Sequence, residues 1–138
     1  MTVYIPPEPY QAIFKTNFGE RQNVYIRGTI PQGSDKFEVN LINSNTGNIH
    51  FHMNPYFKLR SVIRNTKQNG SWDHEEKDTP HMPFQHGQDF TIEIKNKADA
   101  ISVYVNRKIL FIFVHRLPFK DIDVLEVKGD CKCTCVQF

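Results

Sequence analysis

The feature that most constrains this chain is a two-residue alternation of apolar and polar side chains that restarts after each short run of turn residues. In "KFEVNL", Phe37, Val39 and Leu41 fall on one side and Glu38 and Asn40 on the other. "DFTIEIKN" groups Phe90, Ile92 and Ile94; "AISVYVN" groups Ile101, Val103 and Val105. "NVYIRGTI", "NIHFHMNPYF", "SVIRNT", "ILFIFVHR", "IDVLEV" and "CKCTCVQF" read the same way, with "PQGSD", "NSNTGN", "KQNGS", "HGQ" and "NKAD" between them. No segment sustains a helical period. The spacing predicts roughly ten or eleven short strands and an all-β fold, an antiparallel two-sheet β-sandwich or a barrel. A sandwich turns one face of each sheet to the core and leaves the other in water, so polar side chains of neighbouring strands line up outside.

The 138 residues suit one domain over 1–138, and eleven Phe supply a core for it. Net charge is +2, with 17 basic and 15 acidic residues scattered and no basic stripe, which argues against nucleic acid. No apolar run approaches the roughly 20 residues that span a bilayer, so membrane insertion is not expected. The start, "MTVYIPPEPY", has no basic n-region followed by an apolar h-region. The expected compartment is the cytoplasm, with export only by a non-classical route.

One stretch carries more than strand signal. In "NIHFHMNPYF", Ile49, Phe51 and Met53 are expected inward, and His50, His52, Asn54 and Tyr56 outward. Asn65 follows in "SVIRNT", and "GSWDHEEK" adds Trp72, Glu75, Glu76 and Lys77. If these strands are adjacent, an indole sits beside an imidazole, two amides and a carboxylate. That mixture suits a pyranose. Its hydroxyls need paired donors and acceptors, which His, Asn and Glu provide. Galactose also has an apolar patch of C–H groups, because its axial 4-hydroxyl points to the other face. A flat indole can cover that patch and shed its water. Neither a nucleophile nor an acid–base pair is required.

These segments, with "MPFQHGQDFTIEI", "FVHRLP" and "VKGDCKCTCVQF", resemble the galectins, the β-galactoside-binding lectins, in order over about 28–138. The resemblance implies a galectin-like jelly-roll sandwich that binds galactose-containing glycans and glycoproteins. It also implies no cofactor, and a two-fold homodimer as an expectation. The family signature reads His-x-Asn-Pro-Arg, then Asn, then Trp-Gly-x-Glu-x-Arg. By that match His52 and Asn54 would bond the 4-hydroxyl, Asn65 and Glu75 the 6-hydroxyl, and Trp72 would stack on the sugar. Lys77 stands where the family has arginine, Asp73 where it usually has glycine, and Tyr56 replaces the signature arginine. A phenol cannot reproduce a charged planar fork. One lost charge-assisted hydrogen bond is worth roughly 1.5–3 kcal/mol, one to two decades of affinity. Segment 57–61 is also shorter than the loop of well-known members. Weakened or altered specificity follows. The second reading is a galectin-fold interaction or structural module that has lost β-galactoside binding.

Other features read more plainly. The three Cys of "CKCTC" share one face of a strand by spacing and read as reduced thiols in or near the core rather than as a metal site. His50 and His52 are too few to hold zinc. Glu75 and Glu76 adjoin and would face opposite ways on a strand, unlike the paired carboxylates of a glycosidase. No enzyme is expected. His115 and Arg116 in "FVHRLP" match a structural motif of the family. Lys36, Glu38 and Asn40 lie on a strand that in the family borders the groove. "VNRK" stands where the family prefers Asn-Gly; Arg107 at positive φ would be strained, which suggests a different turn.

Overall fold

The computed structural model describes residues 2–15 and 22–138. Among the described residues twelve strands form: β1 (Val3–Tyr4), β2 (Gln11–Lys15), β3 (Asn23–Thr29), β4 (Phe37–Ile42), β5 (Ile49–Tyr56), β6 (Ser61–Gln68), β7 (Ser71–Trp72), β8 (Asp89–Asn96), β9 (Ala100–Val105), β10 (Lys108–Val114), β11 (Val124–Gly129) and β12 (Lys132–Gln137). They make two six-stranded antiparallel sheets, ordered β1-β12-β3-β8-β9-β10 and β2-β11-β4-β5-β6-β7. The expected two-sheet sandwich is what forms. The three strands that the alternation did not mark, β1, β2 and β7, are edge strands. The one fully buried side chain of β2 is Ala12, too small to carry an apolar signal.

The core lies between the sheets. Phe37, Val39, Leu41, Phe51 and Met53 from one sheet meet Ile92, Ile94, Ile101, Val103 and Phe113 from the other, all fully buried. Phe51 and Phe113 meet edge to face, with centroids 5.1 Å apart. Truncating one such ring to alanine typically costs about 3–5 kcal/mol. This packing fixes the tilt of β4, β5 and β6 and so the side chains on their other face.

Three local expectations are corrected. The first concerns β5. It carries one extra residue against both neighbours: Leu41 faces Phe51, but Ile42 faces Ile49 rather than His50. Directly opposed residues share a face, so the bulge turns Ile49 outward. His50 is buried instead, near the backbone of Pro118 and the side chains of Asp121 and His115. The second concerns the cysteines, which do not share a face. A bulge between Cys133 and Cys135 sets Cys133 opposite core-facing Gly28 and Cys135 opposite exposed Arg27. Cys131 and Cys133 are buried, and burial pushes their thiols up to about 12 and about 11. The third concerns "VNRK". Asn106 at φ 51 and Arg107 at φ 69 make a two-residue turn between paired Val105 and Lys108. Two positive φ values define the I′ hairpin, so the turn type is kept despite the arginine.

Candidate functional site

The outer face of β4, β5 and β6 forms a grid. Asn40, His52 and Asn65 stand opposite one another in one row. Asn54 faces Ile63 in the next, and Tyr56 lies between Ser61 and Lys36 in a third. β7 adds Trp72 opposite Lys67. Beyond it, Arg64 and Glu76 exchange two backbone hydrogen bonds of 2.9 Å, which draws segment 73–76 along the sheet. The result is an open groove of about 540 Å³. Six of the seven residues proposed from sequence line it: His52, Asn54, Tyr56, Asn65, Trp72 and Glu75. Lys36, Glu38, Ile63 and Asp73 complete it. Lys77 does not line the groove; its ammonium pairs with Glu75 at 3.3 Å.

Trp72 is 47% exposed, so it is no core aromatic. Its ring lies 4.6 Å from that of His52, tilted by 51°, with the Lys67 ammonium 5.2 Å from its centroid. His52 is buried beneath this neighbourhood rather than fully wet. Its Nδ1 lies 2.7 Å from Oδ1 of Asn40 and 3.5 Å from the Glu38 carboxylate. The Asn40 amide nitrogen donates to Glu126 at 3.0 Å, which fixes Oδ1 as the acceptor side. The Nδ1 proton therefore belongs to His52, and Nε2 keeps its lone pair. Burial pushes the imidazole pKa down, against the opposing pull of Glu38, and favours this neutral form.

Asn65 is more committed than its sequence position suggested. Its Oδ1 accepts from Arg116 at 3.0 Å and from the Thr66 backbone at 2.7 Å, and its amide donates to the Asp73 carbonyl at 2.9 Å. One amide N–H is left for a ligand. Asn54 is the reverse case. Its Oδ1 is buried without a hydrogen-bond partner and belongs to a side chain that lines the groove. An orphaned acceptor of this kind is costly unless a donor arrives. Tyr56 lies under the Lys36 ammonium, 5.4 Å from the ring centroid. The hairpin after it is tight: residues 57–60 close with Arg60 N–H on the Phe57 carbonyl at 3.1 Å.

Two residues contribute contacts that the sequence does not show. Asn40, expected on a strand that borders the groove, is fully buried as the partner of His52. Arg116, after β10 of the opposite sheet, reaches across to bond Asn65 at 3.0 Å, Asp73 at 3.4 Å and Glu76 at 2.8 Å. Glu76 is thus tied outside the groove while Glu75 lines it. The opposition of Asn40 and His52 was legible in principle as an amide sharing parity with Glu38. The local motif marks Arg116 as structural but does not signal its bonds beside the groove, to partners 40 to 51 residues away.

Comparison with known proteins gives one consistent picture. Residues 9–138 match the family described as galactoside-binding lectin. The chain is 38% identical over 133 residues to galectin-4 of Homo sapiens, covering 96% of this chain and 41% of that one. It is 35% identical over 131 residues to the 32 kDa beta-galactoside-binding lectin of Haemonchus contortus, covering 95% and 46%. It thus spans less than half the length of these relatives. Among solved structures, the galectin LEC-6 of Caenorhabditis elegans superposes with a TM-score of 0.89 at 21% identity, covering 98% of this chain and 94% of that one, and so shows the fold. Sheep galectin-11, in complex with glycerol, gives 0.83 at 27% identity, covering 95% and 97%.

Proposed function

The chain belongs to the galactoside-binding lectin family, and from that premise we propose that it binds galactose-containing glycans in the groove over β4, β5 and β6, by recognition alone. In this reading Trp72 covers the apolar face of galactose and sheds water from it. Nε2 of His52, kept as an acceptor, accepts a hydrogen bond from the axial 4-hydroxyl. Asn54, whose side chain lines the groove, offers its carboxamide to a second hydroxyl. Asn65 gives its one remaining N–H, and Glu75 accepts from the 6-hydroxyl while Lys77 holds it in place. Tyr56 offers one rotating hydroxyl where a fork would suit a sugar better, so affinity is weakened or specificity altered.

The observation that carries this reading is the half-exposed indole 4.6 Å from the imidazole, with the Asn54 carboxamide in the same groove. A disaccharide in a shallow groove starts near the micromolar-to-millimolar range, about −4 to −8 kcal/mol. A glycan array, followed by calorimetry with lactose, tests it. Wild type should bind terminal galactosides, and Trp72→Ala should abolish the heat of binding. Equal binding by Trp72→Ala would remove the stacking mechanism; silence toward every galactoside would remove the reading.

One observation favours the second reading, a fold of this family used for protein interaction without galactoside binding. The two carboxylates that could orient a signature arginine are occupied, Glu75 by Lys77 and Glu76 by Arg116. Tyr56 makes no claim on either. The same array separates the two readings.

A further inference from the structure

We propose that the outer face of the other sheet carries a second, independent binding site, an arginine-centred groove for an acidic saccharide. Tyr25, Arg27 and Thr29 alternate along the outer face of β3, opposite Glu93, Thr91 and Asp89 of β8. Two overlapping concavities of about 500 and 490 Å³ lie over them and share Arg27, Thr91 and Asn106. Arg107 lines the second.

The charges are arranged for an anion. The Asp89 carboxylate accepts from the Thr29 hydroxyl at 2.8 Å. Glu93 is hydrogen-bonded by the Tyr25 hydroxyl, which raises the phenol pKa. Neither carboxylate forms an ion pair with Arg27 or Arg107, and neither guanidinium has an ion-pair partner among the described residues. Two free planar forks facing one groove suit sulfate or carboxylate groups, which they bind through paired N–H donors.

The backbone supplies two further observations. Arg107 sits at φ 69 in a turn where glycine would be relaxed. The turn is clamped onto β8 from both directions: the Asn106 N–H donates to the Thr91 carbonyl at 2.8 Å, and the Thr91 N–H donates to Asn106 Oδ1 at 2.9 Å. A strained conformation that its surroundings over-determine is the kind found at ligand sites. On the other flank, the β12 bulge inserts Thr134, whose hydroxyl donates to the Arg27 carbonyl at 3.1 Å. Bulges of this kind re-aim a side chain at a site rim.

The rest of the lining chooses between anions. Thr29, Thr91, Thr134 and Asn106 present hydroxyl and carboxamide groups that match sugar hydroxyls. Asp89 and Glu93 would repel a densely charged polymer such as nucleic acid. A sparsely anionic, hydroxyl-rich chain fits both facts. The groove lies on the opposite sheet from the galactoside groove, so one chain can hold two glycans back to back and bridge them without dimerising.

The test is a calorimetric and amide-resolved NMR titration at low ionic strength with a sulfated chondroitin hexasaccharide and, separately, a carboxylate-only hyaluronan hexasaccharide. A hexaglutamate peptide is the third arm. One or both saccharides should bind and move the Arg27, Thr91 and Arg107 amides, with lactose present or absent; the arm that binds identifies the anion. Arg27→Gln and Arg107→Gly should each weaken binding about fivefold or more. Arg107→Gly should also raise the melting temperature, since it removes charge and strain together, a combination that a merely structural arginine would not give. Absence of binding by both saccharides, unchanged affinity in both variants, competition by lactose, or equal binding of hexaglutamate would each overturn the assignment.

Discussion

The Nδ1–H of His52 donates to Oδ1 of Asn40 across 2.7 Å, and this contact leaves Nε2 as a hydrogen-bond acceptor. A proton on Nε2 would turn it into a donor and remove the acceptor for the 4-hydroxyl. Burial pushes the His52 pKa below its ordinary 6.5, so the neutral form persists below that pH. Lactose affinity should therefore hold steady down to about pH 6.5 and fall only at lower values. Stability has the same sign. His50, His52 and His115 are all lowered by burial, so the unfolded chain takes up protons first as pH drops. Their contribution is fully present above 6.5 and is lost as pH falls through the folded-state values. Melting temperature and lactose titrations across pH 5 to 8 check both, roughly the range over which a histidine near 6.5 changes charge. Affinity that already declines above 6.5 would contradict the tautomer assignment.

Tyr56→Arg should strengthen lactose binding by about tenfold or more, one regained charge-assisted bond at roughly 1.5–3 kcal/mol. Glu75 lines the same groove, so the new guanidinium has a carboxylate at hand. The Lys36 ammonium now over the Tyr56 ring must move aside, and Lys36→Ala in the same background should increase the gain. Calorimetry of the single and double variants measures it. No gain in either would assign the weakness to the short 57–60 hairpin instead.

The alternation made the sheets legible because β8 and β9 bury each second side chain strictly, and β4 does so apart from the buried Asn40. It failed where one inserted residue reverses parity, at Ile49–His50 and at Cys133–Cys135. A bulge leaves no composition signal, since the flanking residues still alternate. The groove residues were legible as a constellation, but their burial was not: His52 at 6% exposure is covered by a ring that comes from a different strand. Arg107 was read correctly as strained and wrongly as a reason to change the turn, because the hold of Thr91 on Asn106 outweighs the preference of one residue.

The cysteines should react unequally. Burial pushes the Cys131 and Cys133 thiols up to about 12 and about 11, so almost no thiolate forms at neutral pH. Cys135 is turned to the outer face and half-buried. A thiol reagent at pH 8 should label Cys135 fast and the other two only after denaturation, which intact-mass spectrometry reads as one adduct and then three. Fast labelling at Cys131 would contradict the packing of β12.

Arg116 should matter to binding without touching sugar. It bonds Asn65, Asp73 and Glu76 at once, joining the edge of one sheet to the groove on the other. Arg116→Ala removes a charged donor from each. With its side chain 21% exposed, water replaces part of the loss, so a cost of about 1–2 kcal/mol in stability is expected. Lactose affinity should drop by about tenfold, because the released Asn65 amide no longer fixes its remaining N–H and segment 73–76 is freer beside Trp72. Arg116→Lys keeps the charge but cannot reach Asn65 and Glu76 together with a single nitrogen. It should recover most of the melting temperature and little of the affinity. Trp72 fluorescence reports the difference directly, since the indole is the only one in the chain. If Arg116→Lys restored affinity and stability in parallel, the arginine would be a structural brace and its geometry toward Asn65 would carry no part of sugar recognition.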